Sequence, residues 1–403
     1  MFNVAFEKMQ ILAIKAGGVF TALFIIAIYF STSLAIILSV LLGLLWLLSA
    51  QFMALPGILK KNPVAVWSLL LFLCFIFGLS YSSATYSDAI SMLSKYRELI
   101  FIPVLTAFLS AERYRSWAWK AFVIASVLIL LISYLMDFGI LDLNGQGDPA
   151  FKSRITHSIF ISFFAFFCAH KAYHGKGHAK LYWVLFILSA YNLFFIVEGR
   201  TGQLIAVSLA LLFGVQRFTK KVLLLSVFVM AILLALFLTF SDKATRINEG
   251  LASTQAYLQA HPEMTEFSMG ARFTFWRYSL KLIAEKPLLG HGTGSFAKEY
   301  ERIADNEQLM TKNPHNEFLM IGVQLGLLGL SIYLGFLASQ YYLSRKLPDK
   351  EKWLAQGLLL TLIVTSLFNT PIMDHAEGHW FVAMIALCFA SLHSDVNVEI
   401  NHA

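Results

Sequence analysis

The sequence predicts an all-α integral membrane protein, and three observations lead there. Of the 403 residues, 58% are apolar and 14% are charged, where a soluble domain carries about a quarter charged. The apolar residues gather in blocks of roughly 15 to 25, the length a helix needs to cross a ~30 Å hydrocarbon core. The blocks lack the short alternating pattern of barrel strands. Backbone groups in lipid must be satisfied internally, which leaves helices.

Twelve blocks lie near residues 12–30, 32–49, 63–81, 97–110, 118–136, 155–171, 181–197, 202–215, 222–240, 315–343, 353–371 and 379–394. The expectation is about 12 transmembrane helices: nine within residues 1–240 and three within 315–403, with one large loop domain at 241–314 between them. Lys8 and Lys15 ahead of the first block imitate a secretory leader, but a second block follows at once, so the first is read as a retained membrane helix. Lys60 and Lys61, Arg113, Arg115 and Lys120, Lys171, Lys176 and Lys180, Arg217, Lys220 and Lys221, and Arg345, Lys346, Lys350 and Lys352 fall on alternate connections. Those connections, and with them both termini, are expected to be cytoplasmic. The net charge of +7 is therefore a topology signal and not a nucleic-acid footprint. The 241–314 insertion is charge-balanced, with nine basic and nine acidic residues, and is too long for a connector. Helix-like patterning at 272–283 marks it as a small extracytoplasmic domain. Cys74, Cys168 and Cys388 all sit in apolar blocks, as small buried hydrophobes do.

Several polar positions invite a chemical reading. In Asn313-Pro314-His315-Asn316-Glu317, Asn is a favoured N-cap and Pro a favoured first helical residue. A helix is expected to start there, with His315 in its first turn. The positive helix end favours a bound anion and disfavours imidazolium, leaving His315 able to accept a proton. The plainer reading is an interfacial polar cluster that only starts the helix. Gly326 and Gly329 are expected to let a neighbouring element approach closely. Arg272 and Trp276, four apart, share a helix face. They could clamp a phosphate, or simply belong to an amphipathic helix on the membrane. The Pro287–Gly294 stretch is a glycine-rich turn without Walker spacing. Arg200 lies between two apolar blocks and needs a partner, either Glu198 or an anionic substrate. Asp374, His375, Glu377 and His379 cluster before the last block. The two histidines have metal-pair spacing but no third fixed ligand, so no metal is expected, and Asp374 is more plausible as an orienter of substrate or of His315.

Together these residues resemble the O-antigen ligase and polymerase superfamily. Its signature of His, then Asn, Ser or Gln, nine residues and Gly-x-x-Gly is met by His315, Asn316, residues 317–325, Gly326 and Gly329. The Arg272-x-x-x-Trp276 pair and the Pro287–Gly292 turn are similar to the family too, and the helix plan extends the likeness over nearly the whole chain. The resemblance implies a GT-C type glycosyltransferase, metal-independent, inverting and without a cofactor. It implies transfer of O-antigen glycan from undecaprenyl pyrophosphate to lipid A–core oligosaccharide, with the site facing the periplasm from a multi-pass protein of the bacterial inner membrane. It further implies His315, Arg272 and Arg200 as catalytic residues, and Arg200, Arg272, Trp276, Asn316 and Asp374 as substrate contacts. The partners are then the lipid-linked donor, the lipid A–core acceptor and membrane lipids, with no nucleic acid. Within the family the rival is an O-antigen polymerase, which uses the same donor and a lipid-linked glycan acceptor; a protein-directed oligosaccharyltransferase is a further relative. Outside it, a lipid-linked oligosaccharide transporter suits twelve helices, but such proteins usually show two related halves and midplane polar residues.

Overall fold

The structure, a computed structural model, describes residues 2–143, 149–175, 177–241, 244–258, 269–304 and 309–397. Among these residues there are helices, turns and loops but no strand. Helix α1 (Phe2–Phe30) packs against α2 (Thr32–Leu48) across Ser31, whose hydroxyl accepts the Leu34 N–H as an N-cap. An 81° bend separates α2 from the 51–61 segment that ends in the short α3 (Leu55–Lys61). Asn62 then caps α4 (Pro63–Leu79), its Oδ1 accepting from Val64 and Ala65, with Pro63 at the first helical position. The chain continues through α5 (Tyr86–Tyr96), α6 (Phe101–Leu109), α7 (Glu112–Asp137), α8 (Arg154–Tyr173) and α9 (Ala179–Tyr191). A π-turn at Asn192–Ile196 leads from α9 towards α10 (Arg200–Arg217) and α11 (Lys220–Phe240). Among the described residues of the long insertion are α12 (Thr245–Leu258), α13 (Met269–Glu285) and α14 (Phe296–Ile303). The last three are α15 (Glu317–Ser344), α16 (Asp349–Phe368) and α17 (His375–Phe389).

Burial separates inner helices from outer ones. Most of α8 and all of α17 from Glu377 onward are buried, whereas α11 buries no residue and turns its apolar side chains outward. Trp380 of α17 anchors the centre: it stacks on Phe160 of α8 at 4.9 Å, and its indole N–H donates to the Tyr29 hydroxyl of α1 at 2.9 Å. A buried tryptophan needs such a partner for its polar edge.

Each of the twelve apolar blocks holds a helix, but their lengths differ. Among the described residues, seven helices are long and apolar enough to cross a bilayer, or eight if the bent pair 32–48 and 51–61 forms one span. The blocks at 63–81, 97–110, 202–215 and 379–394 hold α4, α6, α10 and α17, which fall short in length or apolarity. The amphipathic α5 was not expected from the apolar pattern, because it is polar on most of its surface.

Gly326 breaks α15 from within, at φ 62° and ψ −157°, a region open essentially to glycine alone. The expectation of a neighbouring element close to this glycine is met by a loop that lodges in the break. Leu327 and Leu328 give their N–H groups to the Pro287 and Leu288 carbonyls. The Val323 and Gln324 carbonyls in turn accept from His291 and Gly292. The glycine-rich turn at 287–294 is thus a backbone plug and not a phosphate loop. It is also stitched to the end of α4, where Thr293 donates its N–H to Gly78 and its hydroxyl to Phe75.

A Cβ on Gly326 would lie 2.5 Å from the Leu288 backbone. Gly326→Ala should therefore cost about 1–3 kcal/mol from backbone conformation alone and lower the thermal midpoint in detergent. Gly43→Ala, where a Cβ meets nothing within 4 Å, should leave it nearly unchanged. Equal midpoints for the two variants would remove the plug from this account.

Candidate active site

Two helix N-termini and three guanidinium groups meet in one cavity of about 220 Å³. Arg154 opens α8 behind the Ser153 cap, and Arg200 opens α10 behind Gly199. Arg272 enters from α13, and Glu198, Ser158, Met269 and Phe368 complete the wall. Close packing brings the first two helices together: a Cβ on Gly202 would lie 2.2 Å from the Ser158 Cβ, and the Gly202 carbonyl accepts from the Ser162 hydroxyl at 2.9 Å. Gly250 of α12 leaves space for the Arg200 guanidinium, which a Cβ there would approach to 2.6 Å. Two helix N-termini and three cations, with Glu198 beside them, are a setting that suits an anion. Burial, and then the charge of Arg200, push the Arg272 guanidinium down to about 10, so it still carries its charge at neutral pH.

His315 stands beside this cavity, close enough for Arg272 to act on it. Its backbone corrects the expected helix start. The N-cap is Asn316, whose Oδ1 accepts from Leu319, and α15 begins at Glu317. Asn313 instead takes the His315 N–H on its own side chain at 2.7 Å, and His315 sits at φ 51°. A left-handed residue cannot continue a right-handed helix, so neither Pro314 nor His315 belongs to the first turn. This conformation costs a non-glycine residue about 1–3 kcal/mol and needs outside support. The support is present: Asn313 donates to Thr370 at 2.8 Å, and the Trp276 indole donates to the Pro314 carbonyl at 2.9 Å. The His315 Nδ1 is buried without a hydrogen-bond partner among the described residues. Burial first, then Arg272, hold the imidazole below its ordinary range, against an opposing pull from Asn369.

The other expected contacts are placed differently. Trp276 shares α13 with Arg272, but its N–H is committed to Pro314 and its ring leans on Phe368 at 6.3 Å. Asn316 is spent on the Leu319 cap and on the Leu367 carbonyl. Asp374 caps α17 through Ala376 and Glu377, and its charge acts on Lys152 and Glu98. Sequence reasoning missed Arg154, although a cation directly before an apolar block carries the same signal as Arg200.

It also missed a third donor beside the two histidines. Glu98, between α5 and α6 and 277 residues away from His375 in sequence, places Oε1 3.0 Å from His375 Nδ1 and 2.8 Å from His379 Nδ1. The three donor atoms lie within 4.8 Å of one another, which suits a small cation. They suit a hydrogen-bonded carboxylate–imidazole cluster equally well, since His379 Nδ1 also reaches the His375 carbonyl.

Residues 184–334 match the family described as O-antigen ligase. This segment is similar to the O-antigen ligase family in sequence. It contains Arg200, Arg272, His315 and the Gly326 break, while Arg154, Glu98 and Asp374 lie outside it. A Rickettsia bellii protein, provisionally named a polysaccharide ligase, is 35% identical over 107 residues, 24% of each chain. Another, from Rickettsia typhi, is 31% identical over 90 residues, 20% of each chain. An uncharacterised Haemophilus influenzae protein is 25% identical over 205 residues, 47% of this chain and 51% of its own. The chain thus spans between a fifth and about half of the length of these curated relatives.

The coupling between Arg272 and His315 can be read by titration. Because the folded pKa of His315 lies below its ordinary 6.5, this group favours the folded state above that pH, and its contribution fades as pH falls towards the depressed value. Arg272→Gln removes one cause of the depression. The imidazole C–H resonance of His315 should then titrate at higher pH than in the unsubstituted protein. An unchanged midpoint would separate the two residues electrostatically.

Proposed function

We propose that this chain is an O-antigen ligase, a glycosyltransferase that moves glycan from undecaprenyl pyrophosphate to lipid A–core oligosaccharide. The observation that carries the reading is Arg200 and Arg272 in one cavity beside a strained, half-buried His315. A diphosphate fits the charge of that cavity. Arg200, Arg272 and Arg154 hold it and stabilise the negative charge that grows on the leaving oxygen. His315 accepts the proton of the acceptor hydroxyl on a ring nitrogen. The hydroxyl oxygen attacks the anomeric carbon, the bond to the pyrophosphate oxygen breaks, and that oxygen keeps the electron pair. Attack from the side opposite the leaving group inverts the configuration. The arginines supply the positive charge, so the reaction runs without a metal. Trp276 and Asn313 act as positioning residues that fix the histidine turn. Asp374 orients the acceptor from the edge of α17.

An apolar cavity of about 490 Å³ lies between α8, α9, α10 and α11. Its Ser162 is one helical turn along α8 from Ser158 in the arginine cavity. We assign it to the polyprenyl tail, which needs an apolar path leading away from its charged head. The bent pair and the four shorter apolar helices are read as further crossings, giving twelve spans. Both termini then face the cytoplasm and the site faces the periplasm of the inner membrane. A polymerase would share this donor site and differ in its acceptor. In cells, loss of a ligase leaves long glycans on the polyprenyl carrier, whereas loss of a polymerase leaves single units on the core.

In vitro transfer from purified donor to lipid A–core is the direct test. His315→Ala should lower the rate by ~10²–10⁴-fold with expression intact, and Arg272→Ala or Arg200→Ala by ~10²–10³-fold. A chelator should leave the rate unchanged. Full activity in His315→Ala would remove the general base, and loss of activity in chelator would remove the metal-free mechanism.

A further inference from the structure

A second cavity, of about 310 Å³, lies at the far end of the same helices. Helices α8, α10 and α16 each run from the arginine cavity, at Arg154, Arg200 and Phe368, to this one, at Lys171, Arg217 and Lys350. At ~1.5 Å per residue, their 18 to 20 residues span about 27–30 Å, the thickness of a hydrocarbon core. The cavity belongs to the end where the basic connections gather, and it is separate from the chemistry proposed above.

Its lining is cationic, and among the described residues no acid hydrogen-bonds its central guanidinium. Arg217 donates from Nε and Nη2 to His170 Nδ1, at 3.1 and 2.8 Å, and from Nη2 to His174 Nε2 at 3.0 Å. A guanidinium can only donate, so both imidazole nitrogens accept and both rings are held neutral. His170 then carries its proton on Nε2 and gives it to Gln216 Oε1 at 3.1 Å, and the Gln216 amide is fixed in turn by Gln356. The Tyr173 and Trp353 rings flank the guanidinium at 5.6 and 5.3 Å. This arrangement orients Arg217 through neutral partners, while the Asp349 carboxylate acts on it only as a nearby charge. Lys171 and Lys350 face the same space. Burial, then Arg217, Lys350 and Lys171, lower the basicity of His174. Asp349, the acid near this rim, lies 4.0 Å from Lys352 and is mostly exposed. Phe167, Tyr182 and Leu354 give the cavity apolar walls.

We propose that this cavity binds a phosphate anion, presented as the headgroup of an acidic phospholipid of the adjoining leaflet. Fixed guanidinium and ammonium groups meet the phosphate, and the apolar walls meet the glycerol and the upper acyl chain. Basic pockets between membrane helices act in this way generally.

Native mass spectrometry of the full chain, released from detergent with added cardiolipin, phosphatidylglycerol or phosphatidylcholine, tests the proposal. The unsubstituted protein should retain acidic lipid in preference to phosphatidylcholine. Removing one cation should weaken that retention by roughly fivefold, and Arg217→Gln with Lys350→Gln by more. Lys350→Gln alone, at an exposed rim position, keeps the test valid if the Arg217 variant fails to fold. Lys60→Gln, outside the cavity, should change nothing. Equal acidic-lipid retention in the unsubstituted protein and in Lys350→Gln would overturn the proposal. Displacement of bound lipid by millimolar inorganic phosphate would overturn the headgroup as the source.

Discussion

Two guanidinium groups in one cavity repel each other, and the fold around Arg200 and Arg272 has to hold them there against that force. Each is fixed from a different direction. Arg200 is set by the tight α8–α10 contact at Gly199 and Gly202 and by the space Gly250 leaves it. Arg272 is set by α13, whose C-terminal end runs into the loop plugged into α15. Burial first and then Arg200 lower the basicity of Arg272, and burial first and then Arg272 lower that of His315. A doubly charged ligand would relieve the repulsion between the guanidinium groups.

The helix break at Gly326 links this site to the rest of the molecule. Hydrogen bonds that a continuous α15 would make with itself go instead to the 287–294 loop, and the same loop bonds to the end of α4. The loop therefore joins α13, α15 and α4 through backbone groups, which vary less in position than side chains. His315 sits just ahead of α15 and depends on the same frame. Its left-handed backbone is held by Asn313 and Trp276, neither of which needs to touch a substrate for this task.

Much of this was legible from the residues alone. Every apolar block contains a helix, because twenty apolar residues have few alternatives in lipid. The helical patterning at 272–283 falls inside α13. The spacing from His315 to Gly326 was visible, but its meaning was not: the glycine lets a loop into the helix, and the loop's partner is 36 residues upstream at Gly290. The helix start was misread by three residues because Asn313 and Asn316 both have N-cap chemistry, and only the tertiary contacts to Trp276 and Thr370 decide between them. Glu98 was invisible for the same reason, since its histidine partners lie at the other end of the chain. Local rules fix element type well. Pairings across hundreds of residues depend on packing that no local pattern encodes.

The central claim is that one diphosphate joins Arg200, Arg272 and His315 into a single site. The most direct measurement is a cryo-electron microscopy structure of the chain with undecaprenyl pyrophosphate bound. The account requires the diphosphate between the guanidinium groups of Arg200 and Arg272, with the His315 ring facing the position of the anomeric carbon and the tail entering the apolar cavity beside α10. A diphosphate seated elsewhere, with those three side chains left facing water, would contradict it.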